Sequence, residues 1–485
     1  MRLAEFFPSE NIPEPFAGRE VKDVAFDSRA VTEGAVFFAV PGTKADGLAF
    51  AAQAVQRGAI AIVAEREPET PFRAAAFIKV DDARSALALA AARIYPRQPE
   101  TIVAITGTSG KTSVAAFARQ IWAALGARAA SLGTLGVVAP SGAVYGSLTT
   151  PDPVTLHKTL DELARGRVTH LALEASSHGI AQRRLDGVRL AAAGFTNLSR
   201  DHLDYHATLE DYLDAKMQLF DRLLSPGQTA VVDADSDVAE RVISVCEKRG
   251  LRVFSVGWKG AALRLLEADA ENFSTRLRIA HAGVTFTLRL PLAGAFQASN
   301  ALVAAGLCIA SGSPPEAALA ALERLEGAPG RLELVGNRNG APVFVDYAHK
   351  PDALDKVLRA LRPFVTKRLI VVFGCGGDRD AGKRPIMGEV AARHADRVIV
   401  TDDNPRSEEP AAIRKAILAG AADFENVQEI GDRAAAIAQA VAMLEPGDGL
   451  LIAGKGHETG QIIGDSTLPF SDSECARAAL KEYAA

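Results

Sequence analysis

The chain has 485 residues, 48% of them hydrophobic and 23% charged, with a formal net charge of -5. That length exceeds one ordinary domain and predicts two to four, each burying its own core. The charge balance gives no basis for binding nucleic acid or an anionic membrane, and Cys246, Cys308, Cys375 and Cys475 lack metal-ligand spacing, reading instead as reduced thiols. The N-terminal MRLAEFFPSE has no basic region followed by an apolar core, so no signal peptide is expected. No apolar run is long enough to span a bilayer, and a cytoplasmic protein is the expectation.

Residues 1–98 read as a small α/β unit. Its strands are expected at Val24–Ser28, Val36–Val40, Ile60–Val63 and Phe77–Val80, and its helices at Ala49–Arg57 and Arg84–Ile94. The loops DSRAV (Asp27–Val31) and PGTKADG (Pro41–Gly47) mix glycine with hydrogen-bonding side chains; they suit a polar ligand, or simply solvated turns. Pro96-Arg97-Gln98-Pro99 has linker chemistry and marks a boundary.

Residues 99–329 show the strand–helix alternation of a parallel sheet covered by helices. The stretch IVAITGTSGKTS (Ile102–Ser113) opens it, running from a β-branched strand through a glycine turn into a helix with apolar residues at Val114, Phe117, Ile121 and Leu125. Gly107 and Gly110 allow backbone N–H groups to face one concavity, Lys111 adds a cation and Thr112 a hydroxyl suited to Mg²⁺. This chemistry suits nucleotide phosphates, although the strict P-loop would need glycine where Ile105 stands. An ordinary strand-to-helix turn is the alternative.

Thr169–Leu173 reads as a buried strand ending on Glu174, followed by ASSHG. A carboxylate there stands where open sheets place ligands and suits Mg²⁺, or it caps a helix. Ala191–Thr196 is a strand leading into NLSRDHLDYH, which gathers Asp201, His202, Asp204 and His206 without a recognised zinc spacing. The helix LEDYLDAKMQLFDRLL has Leu213, Met217, Phe220 and Leu224 on its apolar stripe. Lys216 borders that stripe, and position alone favours a snorkelling lysine; desolvation would instead lower its pKa and free its amine for chemistry. Residues 264–290 alternate as antiparallel edge strands, Gly294–Leu307 forms a buried helix, and Pro329–Gly330 in APGRLE is a hinge candidate.

Residues 330–485 form a third α/β unit. The strands Pro342–Val345, Leu369–Phe373, Arg397–Val400 and Gly449–Ile452 each run into a polar loop: DYAHKPD, GCGGDRDAGKRP, TDDNPRSEEP and AGKGHETG. The carboxyl ends of parallel strands converge on one crevice, so these loops should meet there as a substrate site.

TGTSGKTS, LEASSHGI, TNLSRDHLDYH, DAKMQLF, PGRLE, DYAHKPD, FGCGGDRD, DDNPR and AGKGHE occur in the order found in Mur ligases. By this ordered set the whole chain resembles that family, and most of all its diaminopimelate-adding members. The resemblance implies three α/β domains: a UDP-MurNAc-binding domain, a central ATP-binding domain with a P-loop-type parallel sheet, and a Rossmann-like C-terminal domain. It implies ATP-dependent ligation of meso-diaminopimelate to UDP-MurNAc-L-Ala-D-Glu by a monomer. A lysine-adding relative and a folylpolyglutamate synthetase-like ligase are the alternatives within the superfamily; a nucleotide-binding switch and a metal-dependent hydrolase are those outside it.

Carried over by residue, the resemblance puts Thr108, Ser109, Gly110, Lys111, Thr112 and Ser113 on ATP phosphates. Thr112 and Glu174 would hold Mg²⁺, His202 would help hold a second Mg²⁺, and Lys216 would carry a carbamate derived from CO₂ as an anionic metal ligand. Phe26, Ser28, Thr43, Lys44, Ala45, Thr149, Thr150, Ser176, Gln182 and Arg184 would hold the UDP-linked substrate. Asn300, Arg331, Asp346 and His349 would surround the nucleotide. Arg379, Asp403, Asn404, Pro405, Arg406, Gly454 and Glu458 would bind the incoming amino acid. Ser109 replaces an asparagine common in relatives but stays small and polar, and Leu148 stands where some relatives have asparagine.

Overall fold

The computed structural model describes residues 1–42, 46–146, 148–202 and 205–482. They fall into two compact units, one of residues 1–111, 122–254 and 307–313, the other of 112–121, 255–306 and 314–485.

The first unit contains a four-stranded parallel sheet in chain order, Asp23–Ala25, Ala35–Phe38, Ala61–Ala64 and Ala76–Lys79. Three strands lie within two residues of their expected bounds, because short β-branched and aromatic runs bounded by turns leave little freedom of assignment; the first ends at Ala25, three residues before the expected Ser28, which instead starts a 3-10 turn capped by Asp27. The helix Ala83–Ile94 is capped by Asp82, whose carboxylate accepts the N–H groups of Arg84 and Ser85. The expected linker is pinned: the Gln98 side chain donates to the Gly187 carbonyl at 2.8 Å and accepts the Arg189 N–H at 3.0 Å.

The large sheet of this unit runs in the order Thr229–Asp233, Ala192–Phe195, Thr101–Thr106, His170–Glu174, Ala129–Gly133, Gly136–Ala139 and Gly142–Val144. The first five strands are parallel and the last two antiparallel. Thr101–Thr106 is central and almost wholly buried, with neighbours on both sides, which explains its unbroken apolar sequence. The chain leaves it through the glycine turn, so the turn opens where the strand order reverses.

One expected element differs. The helix carrying Lys216 is α-helical over Leu209–Gln218 and widens to a π-helix at Leu219–Leu223. Lys216 is 1% exposed, so the snorkelling expectation fails: the lysine reaches into the interior, with Nζ 4.1 Å from the centre of the Tyr212 ring. An apolar stripe read from sequence cannot tell a bordering residue from a buried one when the next structural layer covers the border.

In the second unit Leu263–Glu271, Ser274–His281 and Val284–Leu290 form an antiparallel meander. Only the last is an edge strand; Ser274–His281 lies between the other two. The second sheet of the unit has the order Glu333–Arg338, Ala341–Asp346, Gly449–Ala453, Leu369–Phe373, Arg397–Val400 and Val427–Glu429, parallel except for the first strand. Its register aligns Asp346 with Ala453, Ala453 with Phe373 and Phe373 with Val400, so the four polar loops start side by side, as the sequence predicts.

Arg433, wholly buried, braces two of these loops. It is paired with the buried Asp472 and donates to the carbonyls of Asp402 at 3.2 Å and Ala453 at 2.9 Å. Burial works against its charge, but the Asp472 carboxylate outweighs that and holds the guanidinium protonated. The expected hinge residue Gly330 has φ 65°, and a Cβ there would lie 2.2 Å from the His457 backbone nitrogen. That close approach and backbone conformation both demand glycine.

Candidate active site

In the first unit, the glycine turn is organised by what its backbone groups meet. Gly107 has φ 143°, and a Cβ on it would fall 1.9 Å from the Thr196 hydroxyl. That hydroxyl donates to the Ser109 carbonyl at 2.6 Å. Asn197 closes the turn by accepting the Thr108 N–H on its carbonyl at 2.8 Å and the Ser109 N–H on its side chain at 3.0 Å. Gly110 is left-handed at φ 88°, and the helix Lys111–Ala124 starts on the next residue. Thr112 and Ser113 are buried in its first turn.

Two lysines converge on one carbonyl. Lys111 Nζ donates to the Gly107 and Thr108 carbonyls, each at 2.9 Å, and Lys216 Nζ donates to Gly107 at 2.8 Å. Burial, reinforced by the Lys111 cation and opposed by Asp201, holds the Lys216 ammonium well below the usual lysine range. Tyr212 beneath it is pushed up to about 12, mainly by burial, while its hydrogen bond with Thr108 pulls the other way. Lys216 is thus a desolvated amine with a depressed pKa.

Glu174 is 1% exposed at the end of its strand. Its carboxylate accepts the Thr134 N–H at 2.8 Å and the Thr134 hydroxyl at 3.2 Å. It can lie there only because residue 133 is glycine: a Cβ on Gly133 would be 2.1 Å from Glu174 Oε1. Sequence reading missed Gly133 and Thr134, which sit in an unremarkable SLGTLG stretch. The Glu174 carboxylate is an oxygen donor of the kind that the hard Mg²⁺ prefers.

His202 is left-handed at φ 53°, and its backbone N–H donates to the Asp201 carboxylate at 2.8 Å. The structure adds His178 to the expected cluster, with ring centres 5.0 Å from His202 and 5.6 Å from His206. His206 meets the Ser177 hydroxyl at 3.0 Å. Among the described residues, no three His, Cys, Asp or Glu side chains are grouped to hold a metal; Asp204 lies outside them. His178 stands inside ASSHG, and only the fold brings that loop beside NLSRDHLDYH.

Several residues expected on the UDP-linked substrate are joined. Thr150 donates its hydroxyl to the Glu174 carbonyl at 2.8 Å and accepts the Ser176 N–H at 3.0 Å. Arg184 donates to the Thr150 carbonyl at 2.5 Å and to the Gln182 side chain at 2.8 Å, and Gln182 reaches the Tyr205 hydroxyl at 3.3 Å. Thr149 meets the Thr134 hydroxyl at 3.1 Å. Ser28 is buried against the Gln53 side chain at 2.7 Å, while Phe26 stands 43% exposed. Thr43, Lys44 and Ala45 lie outside the described residues.

In the second unit, the Arg331 guanidinium lies 4.6 Å from the centre of the Tyr347 ring, with His349 and His457 at 4.6 and 5.2 Å from it. Burial first, then nearby cations, holds both histidines down to about 4, so both are neutral at pH 7. Asp346 accepts the N–H groups of Leu332 and Ala348 at 2.7 and 2.8 Å, and burial raises its carboxyl pKa. Asn300 donates to Gln297, which donates to the Arg331 carbonyl at 3.2 Å. The wholly buried Gln297 was not anticipated.

The other three loops interlock. Arg406, left-handed at φ 52°, donates to the Gly377 carbonyl at 2.9 Å. A Cβ on Gly377 would come 1.9 Å from the Pro405 carbonyl, and one on Gly454, at φ 116°, 2.6 Å from Asp403 Oδ2. Asn404 donates to Glu458 at 2.9 Å. Arg379 is exposed, its guanidinium 3.5 Å from the Asp378 carbonyl. The aligned strand ends thus bring loops bearing the Arg379 and Arg406 guanidinium groups and the Asp403 and Glu458 carboxylates to one end of the sheet.

Comparisons with known proteins define the class. Residues 105–308 match the Mur ligase middle domain, 330–456 the Mur ligase glutamate ligase domain and 20–95 the Mur ligase family catalytic domain. The chain is 58% identical, over 99% of both lengths, to UDP-N-acetylmuramoyl-L-alanyl-D-glutamate–2,6-diaminopimelate ligase of Bradyrhizobium diazoefficiens. It is 59% identical to the enzyme of that name from Mesorhizobium japonicum, over 100% of this chain and 99% of that one. A solved structure of a ligase with the same name has 31% identity and a TM-score of 0.75, covering 100% of this chain and 99% of that one. The chain belongs to the Mur ligase family.

Two expectations follow. Gly133→Ala should displace the Glu174 carboxylate and lower ligase turnover on the order of 10²-fold, as misplaced catalytic groups do; retention of activity with an unchanged circular dichroism spectrum would show that Glu174 tolerates the shift. Because the folded pKa of Lys216 lies below its ordinary 10.5, the unfolded chain binds the extra proton and the buried amine destabilises the fold at neutral pH. In CO₂-free buffer, Lys216→Met should therefore melt higher than wild type at pH 7, and the gap should close as pH rises towards about 10. A gap that widens with pH would contradict the depressed pKa.

Proposed function

We propose that this chain is an ATP-dependent, ADP-forming ligase that joins meso-2,6-diaminopimelate to the D-glutamate of UDP-N-acetylmuramoyl-L-alanyl-D-glutamate, a step of peptidoglycan synthesis. Identity above one half over essentially the full length of enzymes with that name carries the reading. The domains are taken as 1–98, 99–329 and 330–485, and the enzyme as a cytoplasmic monomer. No helix among the described residues is long and apolar enough to cross a membrane.

Joining a carboxylate to an amine in water is uphill, and a carboxylate oxygen leaves poorly. Transfer of the ATP γ-phosphoryl to the D-glutamate carboxylate gives an acyl phosphate and ADP. The diaminopimelate amine attacks its carbonyl, and phosphate departs from a tetrahedral intermediate. The chain's part is positioning and charge neutralisation: Lys111 and the backbone N–H groups of Gly110 to Ser113 would meet the phosphates, with Thr108 and Ser109, whose own N–H groups are held by Asn197, shaping the turn. Thr112, Glu174, His202 and carbamylated Lys216 would hold Mg²⁺, which neutralises phosphate charge when bound. The Arg331–Tyr347 pair, with Asn300, Asp346 and His349, offers a stacked, hydrogen-bonding surface for the nucleoside. Phe26, Ser28, Thr43 to Ala45, Thr149, Thr150, Ser176, Gln182 and Arg184 take the UDP-linked substrate. Arg379, Asp403 to Arg406, Gly454 and Glu458 take diaminopimelate.

The decisive measurement is ADP release. It should require both the UDP-linked dipeptide and diaminopimelate, fall in CO₂-depleted buffer and return with bicarbonate. ADP release without the amino acid would point to a phosphohydrolase, and indifference to bicarbonate would remove the carbamate. Diaminopimelate differs from lysine by a second carboxylate, which a planar guanidinium grips bidentately. Arg406→Ala should accordingly raise the KM for diaminopimelate roughly 10- to 100-fold while leaving that for ATP near its original value; an equal rise in both would reassign Arg406.

A further inference from the structure

Lys455 is the most deeply placed charge in the amino-acid pocket, and nothing above gives it a role. Its side chain is wholly buried, in contrast to the third-exposed Glu458 beside it. Nζ donates to Asn404 Oδ1 at 2.9 Å and to Glu458 Oε2 at 3.2 Å, and lies 3.8 Å from Asp403 Oδ1. All three partners are residues assigned above to the incoming diaminopimelate.

The contacts have two consequences. Asn404 Oδ1 also accepts the Ile462 N–H at 2.9 Å, so that oxygen is committed, and Nδ2 must point to Glu458, which it meets at 2.9 Å. The orientation of the Asn404 amide is thus set by Lys455 and one backbone group, leaving its second N–H for a ligand carboxylate. The charge balance is the second consequence. Within this three-residue group Asp403 and Glu458 contribute two negative charges and Lys455 one positive, a local net of one negative charge suited to a substrate ammonium, while Arg379 and Arg406 of the same site are left for substrate carboxylates. Without Lys455, two carboxylates would share the pocket and repel one another.

We propose that Lys455 is a positioning residue for the amino-acid substrate: it orients Asn404 and offsets one of two carboxylates, so that the pocket fits one ammonium beside one carboxylate. It touches no reacting atom. The inference rests on the diaminopimelate-ligase reading and extends it to a residue outside the expected set.

The test compares wild type with Lys455→Met in steady-state ADP release, varying meso-diaminopimelate and ATP separately, with melting temperature recorded alongside. The expected result is a rise of roughly 10- to 100-fold in the KM for diaminopimelate, the scale of a lost buried charged hydrogen bond. The KM for ATP should stay within about two-fold, since uniform damage would move both. If Lys455→Met fails to fold, Lys455→Gln, which keeps a donor towards Asn404 without the charge, is read by the same ratio. An unchanged diaminopimelate KM overturns the proposal. So does a parallel rise in both constants, or collapse of both variants, either of which assigns Lys455 to the fold alone. Absence of diaminopimelate-dependent ADP release in wild type would instead sink the ligase reading itself, so the two failures are distinct.

Discussion

The carbonyl of Gly107 is the point on which the glycine turn after the central strand depends. It accepts hydrogen bonds from Lys111 and Lys216 at once, two amines that would repel each other if both were charged. The glycine is required because the Thr196 hydroxyl occupies the place of any Cβ. Lys111 sits on the helix that follows the turn, whereas Lys216 comes from a distant helix and is buried. The Lys216 amine, held well below the usual lysine range by burial, is the one that the interior leaves least stable as a charge.

The second unit works by a different constraint, the alignment of strand ends. Four parallel strands in register deliver four polar loops to one edge, and Arg433, paired with Asp472, fixes the carbonyls that precede two of them. A buried pair of this kind adds little net stability against an apolar replacement, but removing one partner is costly, about 3–5 kcal/mol. Its value here is geometric: it holds the start of the loops that carry Asp403, Asn404, Arg406 and Glu458.

Among the rival readings, a folylpolyglutamate synthetase-like ligase would leave the first 98 residues unexplained, whereas residues 20–95 match a Mur ligase family model of their own. A pure nucleotide switch would have no use for the interlocked charged loops of the second unit. The histidine cluster, which suggested a metal-dependent hydrolase, is packed in tilted and edge-on contacts with His178, Tyr205 and Tyr212.

The sequence by itself determined the strands, the turn at Gly107–Gly110 and the four polar loops. These follow from local rules: β-branched runs, glycine where φ is positive, and polar residues after buried strands. The ordered motifs also carried the family, since they preserve chemistry at positions set along the chain. Only the tertiary structure decided the burial of Lys216, the dependence of Glu174 on Gly133 and Thr134, the arrival of His178 beside His202, and the hold of Lys455 on Asn404. Each of these depends on groups far apart in sequence whose meeting is set by sheet order and packing. A local pattern encodes what a residue is able to do; its neighbours in space decide whether a lysine is a surface charge, a modified ligand or a brace.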